Sequence, residues 1–150
     1  MINRVNLTSS LDGFVIPALS ARPESVPLGG VVVIQEIFGL SDHIADMCNR
    51  FANGGYAVLA PGLFERVAPG FHAELDAAGV EKGRAAVTAS PWPQVLGDVQ
   101  AAIDALPQPC YVAGFCYGGA VAWLAAARCA GVRAAPCFYG RLIADLAEFS

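Results

Sequence analysis

One cysteine stands between two glycines in Gly114-Phe115-Cys116-Tyr117-Gly118, with Gly119 directly behind. This is the thiol form of the G-x-S-x-G nucleophile elbow, and the chemistry it suggests is attack by sulfur on an activated carbonyl. The residue types follow from the geometry. A nucleophile on a strained turn needs nearly side-chain-free neighbours two positions away. The same turn sets the sulfur near the N-terminus of a helix, whose positive end favours a thiolate. The backbone N–H of Tyr117 then points where a carbonyl oxygen would gain charge. Free cysteine is also a common buried, inert residue, so the pattern acquires meaning only from the elements around it.

Those elements are legible. Cys110 to Ala113 is short and apolar, as a buried strand is, and Gly118 to Ala130 is rich in alanine and predicts a helix. Gly30 to Gln35 is a β-branched run that suits a strand buried on both faces of a parallel sheet. Glu36 follows it. Ser41 or Asp42 can cap a helix through His43, Ile44, Met47, Cys48 and Phe51, which Gly54-Gly55 can end. Tyr56 to Ala60 predicts the next strand, stopped by Pro61-Gly62. Residues 5–20 alternate around Asp12-Gly13, a hairpin dipeptide. Leu63 to Pro93 is the least regular stretch, with a short helix expected over Glu81 to Ala89. Pro91-Trp92-Pro93 breaks it, and an amphipathic helix is expected from about Gln94 to Leu106. Val132 to Phe138 reads as one more strand, Tyr139-Gly140 as its exit, and Arg141 to Ser150 as a polar-apolar tail.

The alternation of strands and helices from residue 31 onward predicts an α/β fold. Its sheet is largely parallel, with helices on both faces, and an N-terminal antiparallel hairpin opens it. Functional residues in such sheets gather beyond the carboxyl ends of strands, where Glu36, Phe64 and Cys116 all fall.

A length of 150 residues makes residues 1–150 one domain. A net charge of −4 argues against nucleic acid as a partner. The start lacks an apolar signal core and no run is long enough to span a membrane, so no membrane partner is expected. The five cysteines are an odd number without a C-x-x-C pair, which points to free thiols in a reducing, cytoplasmic setting. Cys48, Cys110, Cys129 and Cys137 read as core or helix-face residues. No metal and no organic cofactor is implied, because the elbow already accounts for a nucleophile and an oxyanion site.

Four stretches taken together carry a resemblance. Gln35-Glu36-Ile37-Phe38-Gly39-Leu40 is followed by Asp42-His43-Ile44, then by Gly55-Tyr56-Ala57-Val58-Leu59-Ala60-Pro61 and Gly114-Phe115-Cys116-Tyr117-Gly118-Gly119. In order and spacing, from about Asp12 onward, the chain resembles the dienelactone hydrolase family of the α/β-hydrolase fold. The resemblance implies a cysteine hydrolase acting on small-molecule esters or lactones. Carried over by position, Cys116 is the nucleophile and Glu36 the glutamate that takes part in activating the thiol when substrate binds. The backbone N–H groups of Ile37 and Tyr117 match the oxyanion hole. Without the resemblance, Glu36 would read as a charge merely exposed at a strand end. Arg84 is a candidate for binding a substrate carboxylate, weighed against a solvated helix face. His43 reads as a capping or supporting residue near the mouth of the site and His72 as solvent-facing. Gly62 departs from a common family aspartate.

The family order of nucleophile, acid and histidine is not completed. No histidine follows Cys116, and Asp145, the only later aspartate, precedes the strand that should carry the acid. The chain therefore reads as an incomplete α/β-hydrolase domain lacking its C-terminal strands, and as part of a longer protein. The strand at 132–138 is expected to leave a long apolar edge, covered by self-association or a complementing C-terminal segment. The competing reading is a non-catalytic binding or assembly module with an inert cysteine. A redox-sensing cysteine protein is a weaker third reading, since no resolving cysteine sits beside Cys116 in sequence.

Overall fold

The β-branched run forms β3 (Gly30–Ile34), and every residue in it is buried. It lies inside a mixed sheet in the computed structural model, which describes residues 1–146. The hairpin predicted around Asp12-Gly13 is β1 (Asn3–Thr8) and β2 (Val15–Ala21), paired antiparallel from Asn3 opposite Ser20 to Thr8 opposite Val15. β2 continues antiparallel onto β4 (Ala57–Pro61). From there the sheet is parallel: β4 on β3, then β3 on β5 (Cys110–Phe115). The spatial order is β1-β2-β4-β3-β5, with β6 (Val132–Ala134) and β7 (Cys137–Phe138) both on the far side of β5.

Helices cover both faces, as the alternation predicts. α1 (Asp42–Asn53) is capped by the Ser41 side chain, which accepts from the Ile44 N–H, and closed at Gly54. It packs Ile44, Cys48 and Ala52 against Val31, Val33, Val58 and Phe115 on one face. On the other face, α3 (Trp92–Asp104) and α4 (Tyr117–Arg128) bury Val95, Val99, Val121 and Ala125 against Val32, Ile34 and Val112. Adjacent valines of β3 thus serve opposite cores, which is the period of two expected of a strand. Each fully buried valine or isoleucine contributes about 1.5–3 kcal/mol to this packing.

Three boundaries differ from the sequence reading. The helix expected over Glu81 to Ala89 begins earlier, as α2 (Ala77–Ala89), because Asp76 accepts the Gly79 N–H at 2.7 Å and caps it. Gly79 and Gly83 hid it, since both weaken helix propensity. α3 starts at Trp92 rather than Gln94 because Pro93 lies in its first turn, where its missing N–H is not needed. The single strand expected over Val132 to Phe138 is two short ones. Pro136 cannot donate to a ladder, so pairing breaks there, while its carbonyl accepts the Gly114 N–H at 3.1 Å. The edge expected to be long and apolar is accordingly short and interrupted, with Arg133, Ala134 and Pro136 exposed. In the expected tail the chain forms a further helical turn, α5 (Ile143–Leu146), and residues 147–150 lie outside the described residues.

Candidate active site

Cys116 occupies the N-cap of α4 directly after β5, with φ +57° and ψ −121°. Few non-glycine residues adopt this backbone, and holding it costs about 1–3 kcal/mol. The two flanking glycines show what holds it. A Cβ on Gly114 would lie 1.8 Å from the Gly118 carbonyl oxygen. A Cβ on Gly118 would lie 2.4 Å from the Gln35 carbonyl oxygen. The start of α4 is therefore pressed against both β5 and the end of β3. The Cys116 N–H is anchored to the Phe138 carbonyl at 3.0 Å, and the residue is half-buried at the edge of a pocket.

Tyr117 begins the helix, so its N–H has no acceptor within α4. Its ring is buried, stacked on Trp92 with centroids 6.0 Å apart and tilted against Phe64 at 5.5 Å. Burial pushes its phenol well above the ordinary tyrosine range, and among the described residues its hydroxyl has no hydrogen-bond partner. Phe64, which the sequence placed at a strand end, is fully buried beneath the site and belongs to this aromatic pile rather than to the reacting surface.

The end of β3 is held by Gln35, whose amide is fully buried. Its side-chain oxygen accepts the Leu63 N–H at 3.0 Å and its amide donates to the Glu36 carbonyl at 3.2 Å. This fixes the backbone leading into Ile37. Ile37, Arg84, Thr88, Cys116 and Arg141 line a pocket of about 370 Å³, together with Tyr117 and Leu142. The structure thus brings together four of the five residues singled out from sequence: Cys116, Tyr117, Ile37 and Arg84. Arg84 is an exposed residue of α2, as the solvated-face reading expects, yet it lines the pocket that holds Cys116.

Glu36 is placed differently. It lines a neighbouring cleft of about 630 Å³ that includes Arg4, Asp42, His43, His72 and Tyr139. Its carboxylate Oε1 accepts a hydrogen bond from the Tyr139 hydroxyl at 3.0 Å, and among the described residues none joins it to Cys116. His43, in the first turn of α1, packs edge-on against Phe115 at 5.7 Å. His72 is exposed and paired with Glu74 at 2.8 Å. Sequence reasoning passed over Tyr139 and Arg141 because it took Tyr139-Gly140 for a mere strand exit. The signal for them was the position of that exit, beside the carboxyl end of the elbow strand.

A helix-capping, half-buried cysteine on a glycine-flanked turn, with a free backbone donor beside it, is suited to attack on a carbonyl and stabilisation of an oxyanion. Comparison with known proteins identifies the family. The model of the dienelactone hydrolase family matches residues 16–149. The chain belongs to the dienelactone hydrolase family. A protein of Methylorubrum extorquens provisionally named carboxymethylenebutenolidase is 38% identical over 140 residues, covering 87% of this chain and 47% of that protein. The carboxymethylenebutenolidase of Pseudomonas putida is 32% identical over 126 residues, covering 79% and 53% respectively. A crystal structure from Klebsiella pneumoniae, provisionally named a dienelactone hydrolase, superposes with a TM-score of 0.77 at 32% identity. That match covers 93% of this chain and 60% of the other. The chain spans about half the length of the curated relatives it matches. No helix among the described residues is long and apolar enough to cross a membrane.

Proposed function

We propose that the protein hydrolyses a small-molecule ester or lactone through Cys116. The observation that carries this reading is the strained cap at Cys116, set in one pocket with Ile37, Tyr117 and Arg84. Strain at a non-glycine residue is retained where a reacting group must be aimed. Sulfur attacks the carbonyl carbon, and the carbonyl π electrons move to oxygen. The backbone N–H groups of Ile37 and Tyr117 hold that oxyanion. Collapse of the tetrahedral intermediate breaks the carbon–oxygen ester bond, and the departing alkoxide takes a proton. Water then cleaves the thioester and returns the thiol. Glu36 assists thiol activation as substrate enters, and Arg84 offers its guanidinium to an anionic substituent.

The histidine and the acid that move protons in this cycle are proposed to come from a further segment beyond β6 and β7. That segment, or a second copy of the chain, would also cover the edge strands. The five free thiols fit a reducing, cytoplasmic compartment.

Turnover of an aryl ester and of an unsaturated lactone by the full-length protein tests the reading. Cys116→Ala is expected to lower kcat/KM by about a thousandfold or more on both. Unchanged turnover in Cys116→Ala would remove Cys116 as the nucleophile. No turnover by the parent protein would leave the fold as a binding or assembly module with an inert cysteine, the reading favoured by the lack of a hydrogen bond between Glu36 and Cys116 among the described residues.

A further inference from the structure

Tyr139 has no part in the scheme above, yet its segment is tied both to Glu36 and to the turn that carries Cys116. Its hydroxyl donates to Glu36 at 3.0 Å, and the residue before it accepts the N–H of Cys116. Three contacts fix this placement. β7 pairs with β5 so that Phe138 lies opposite Phe115, and the two rings stack with centroids 5.0 Å apart and nearly parallel planes. A Cβ on Gly119 would lie 2.7 Å from the Phe138 carbonyl oxygen, and one on Gly140 would lie 2.9 Å from the Ala120 nitrogen. The segment 138–140 is thus clamped to the first turn of α4. Within that clamp Tyr139 adopts φ +39°, a left-handed backbone that disfavours any residue with a Cβ. A side chain that is 65% exposed gains little from burial, so packing alone does not account for the conformation.

We propose that Tyr139 is a positioning residue: its phenol holds the Glu36 carboxylate beside Cys116 rather than against it, and so sets how readily that thiol is activated. The inference deepens the hydrolase reading and rests on it.

The chemistry is direct. Partial desolvation, the bond to Glu36, and the charges of Glu36 and of Cys116 as thiolate raise the Tyr139 phenol to about 12, so at neutral pH it is the donor. A carboxylate that gives an oxygen to this phenol spreads its charge and is not free to turn toward the sulfur. Released, it would either approach the thiol as an acceptor for S–H or face the thiolate as an unshared like charge. In the substrate-free protein both disfavour the thiolate, and the assistance from Glu36 is confined to the step in which substrate enters. The other charged or titratable groups facing Glu36 are Arg4, Asp42, His43, His72 and Glu74. Arg84 and Arg141 face Cys116 from α2 and from the loop after β7. A Tyr139→Phe change leaves all of them in place, together with the ring contact to Phe115.

The experiment is the rate of iodoacetamide alkylation at Cys116 in the full-length protein, followed by peptide mass spectrometry from about pH 5 to pH 10. Tyr139→Phe is expected to move the midpoint upward by about half a unit to one unit, slowing alkylation near neutrality about three- to tenfold. In a Glu36→Gln background the same change is expected to move nothing, because the charge it controls is gone. An unmoved profile for Tyr139→Phe overturns the inference while leaving the hydrolase reading intact. A shift that persists with Glu36→Gln also overturns it, since Tyr139 would then act on the sulfur without Glu36. If Cys116 of the parent protein resists alkylation across the whole range, the hydrolase reading fails and this inference with it.

Discussion

Cys116 differs from the other thiols of this chain in where its sulfur sits rather than in what it is. Burial pushes the Cys48 thiol up to about 12 and the Cys110 and Cys129 thiols up to about 11, the Asp104 charge adding to the last. Burial raises Cys137 as well. Cys116 is half-buried at the N-terminus of α4, where unpaired N–H groups favour negative charge. Limited iodoacetamide treatment near pH 7.5 is therefore expected to label Cys116 first, with Cys48 and Cys110 modified only on unfolding. Peptide mapping checks this order, and prior labelling of Cys48 or Cys110 in the native protein would contradict it.

Two elements meet at the backbone of Ile37, and a glycine sets how closely. A Cβ on Gly83 of α2 would lie 2.3 Å from the Ile37 carbonyl oxygen and 2.8 Å from its Cβ. α2 therefore approaches the loop after β3 along its glycine face, and that approach carries Arg84 and Thr88 into the pocket. Gly83→Ala must push α2 and the Ile37 loop apart. Displacing the proposed oxyanion donor by even a fraction of an ångström is expected to lower kcat about tenfold or more. The elbow between β5 and α4 is untouched, so Cys116 alkylation should keep its rate. Parallel measurement of turnover and alkylation separates the two. A loss of both would mean that α2 supports the elbow itself.

The molecule is fastened across its layers by one guanidinium. Arg66, in the loop after β4, makes paired hydrogen bonds to Asp98 of α3 at 2.7 and 2.9 Å and to Asp12 of the hairpin turn at 2.6 and 3.0 Å. Its face lies 4.3 Å from the Phe14 ring. Asp98 is 1% exposed, so its charge depends on this partner. Arg66→Met leaves that charge buried and unpaired, and is expected to cost about 3–5 kcal/mol in denaturant unfolding. Adding Asp98→Leu should restore most of it, because a buried pair replaced as a unit is often neutral. Arg66 also holds the Asp12 carboxyl below its usual 3.8, first by its hydrogen bond, with help from the Phe14 N–H. The sign follows: a lowered folded value means that the contribution is complete above the unfolded value and disappears as pH falls through the folded one. In Asp12→Asn the acid limb of the unfolding curve should flatten below about pH 4. An unchanged limb would show that Asp12 adds no linkage.

Much of this protein was legible along the chain. The β-branched run at 30–34, the Ser41 cap, the Asp12-Gly13 turn and the glycine-flanked Cys116 each state a local rule, and the structure obeys all four. Periodicity, caps and turn residues act over a few positions, so they can be read without knowing what packs where. The start of α2 was hidden because Gly83 serves a close approach to the distant backbone of Ile37 and Gly79 a close approach to the backbone of Glu74 just before the helix, and both lower the local helix signal. The break at Pro136 was passed over because the apolar residues on either side of it outweighed one missing donor. The bond between Tyr139 and Glu36 joins residues 103 positions apart and exists only because β7 settles beside β5. Such a contact leaves no trace in local composition. It depends on strand order, and strand order is settled by which apolar faces can be buried together.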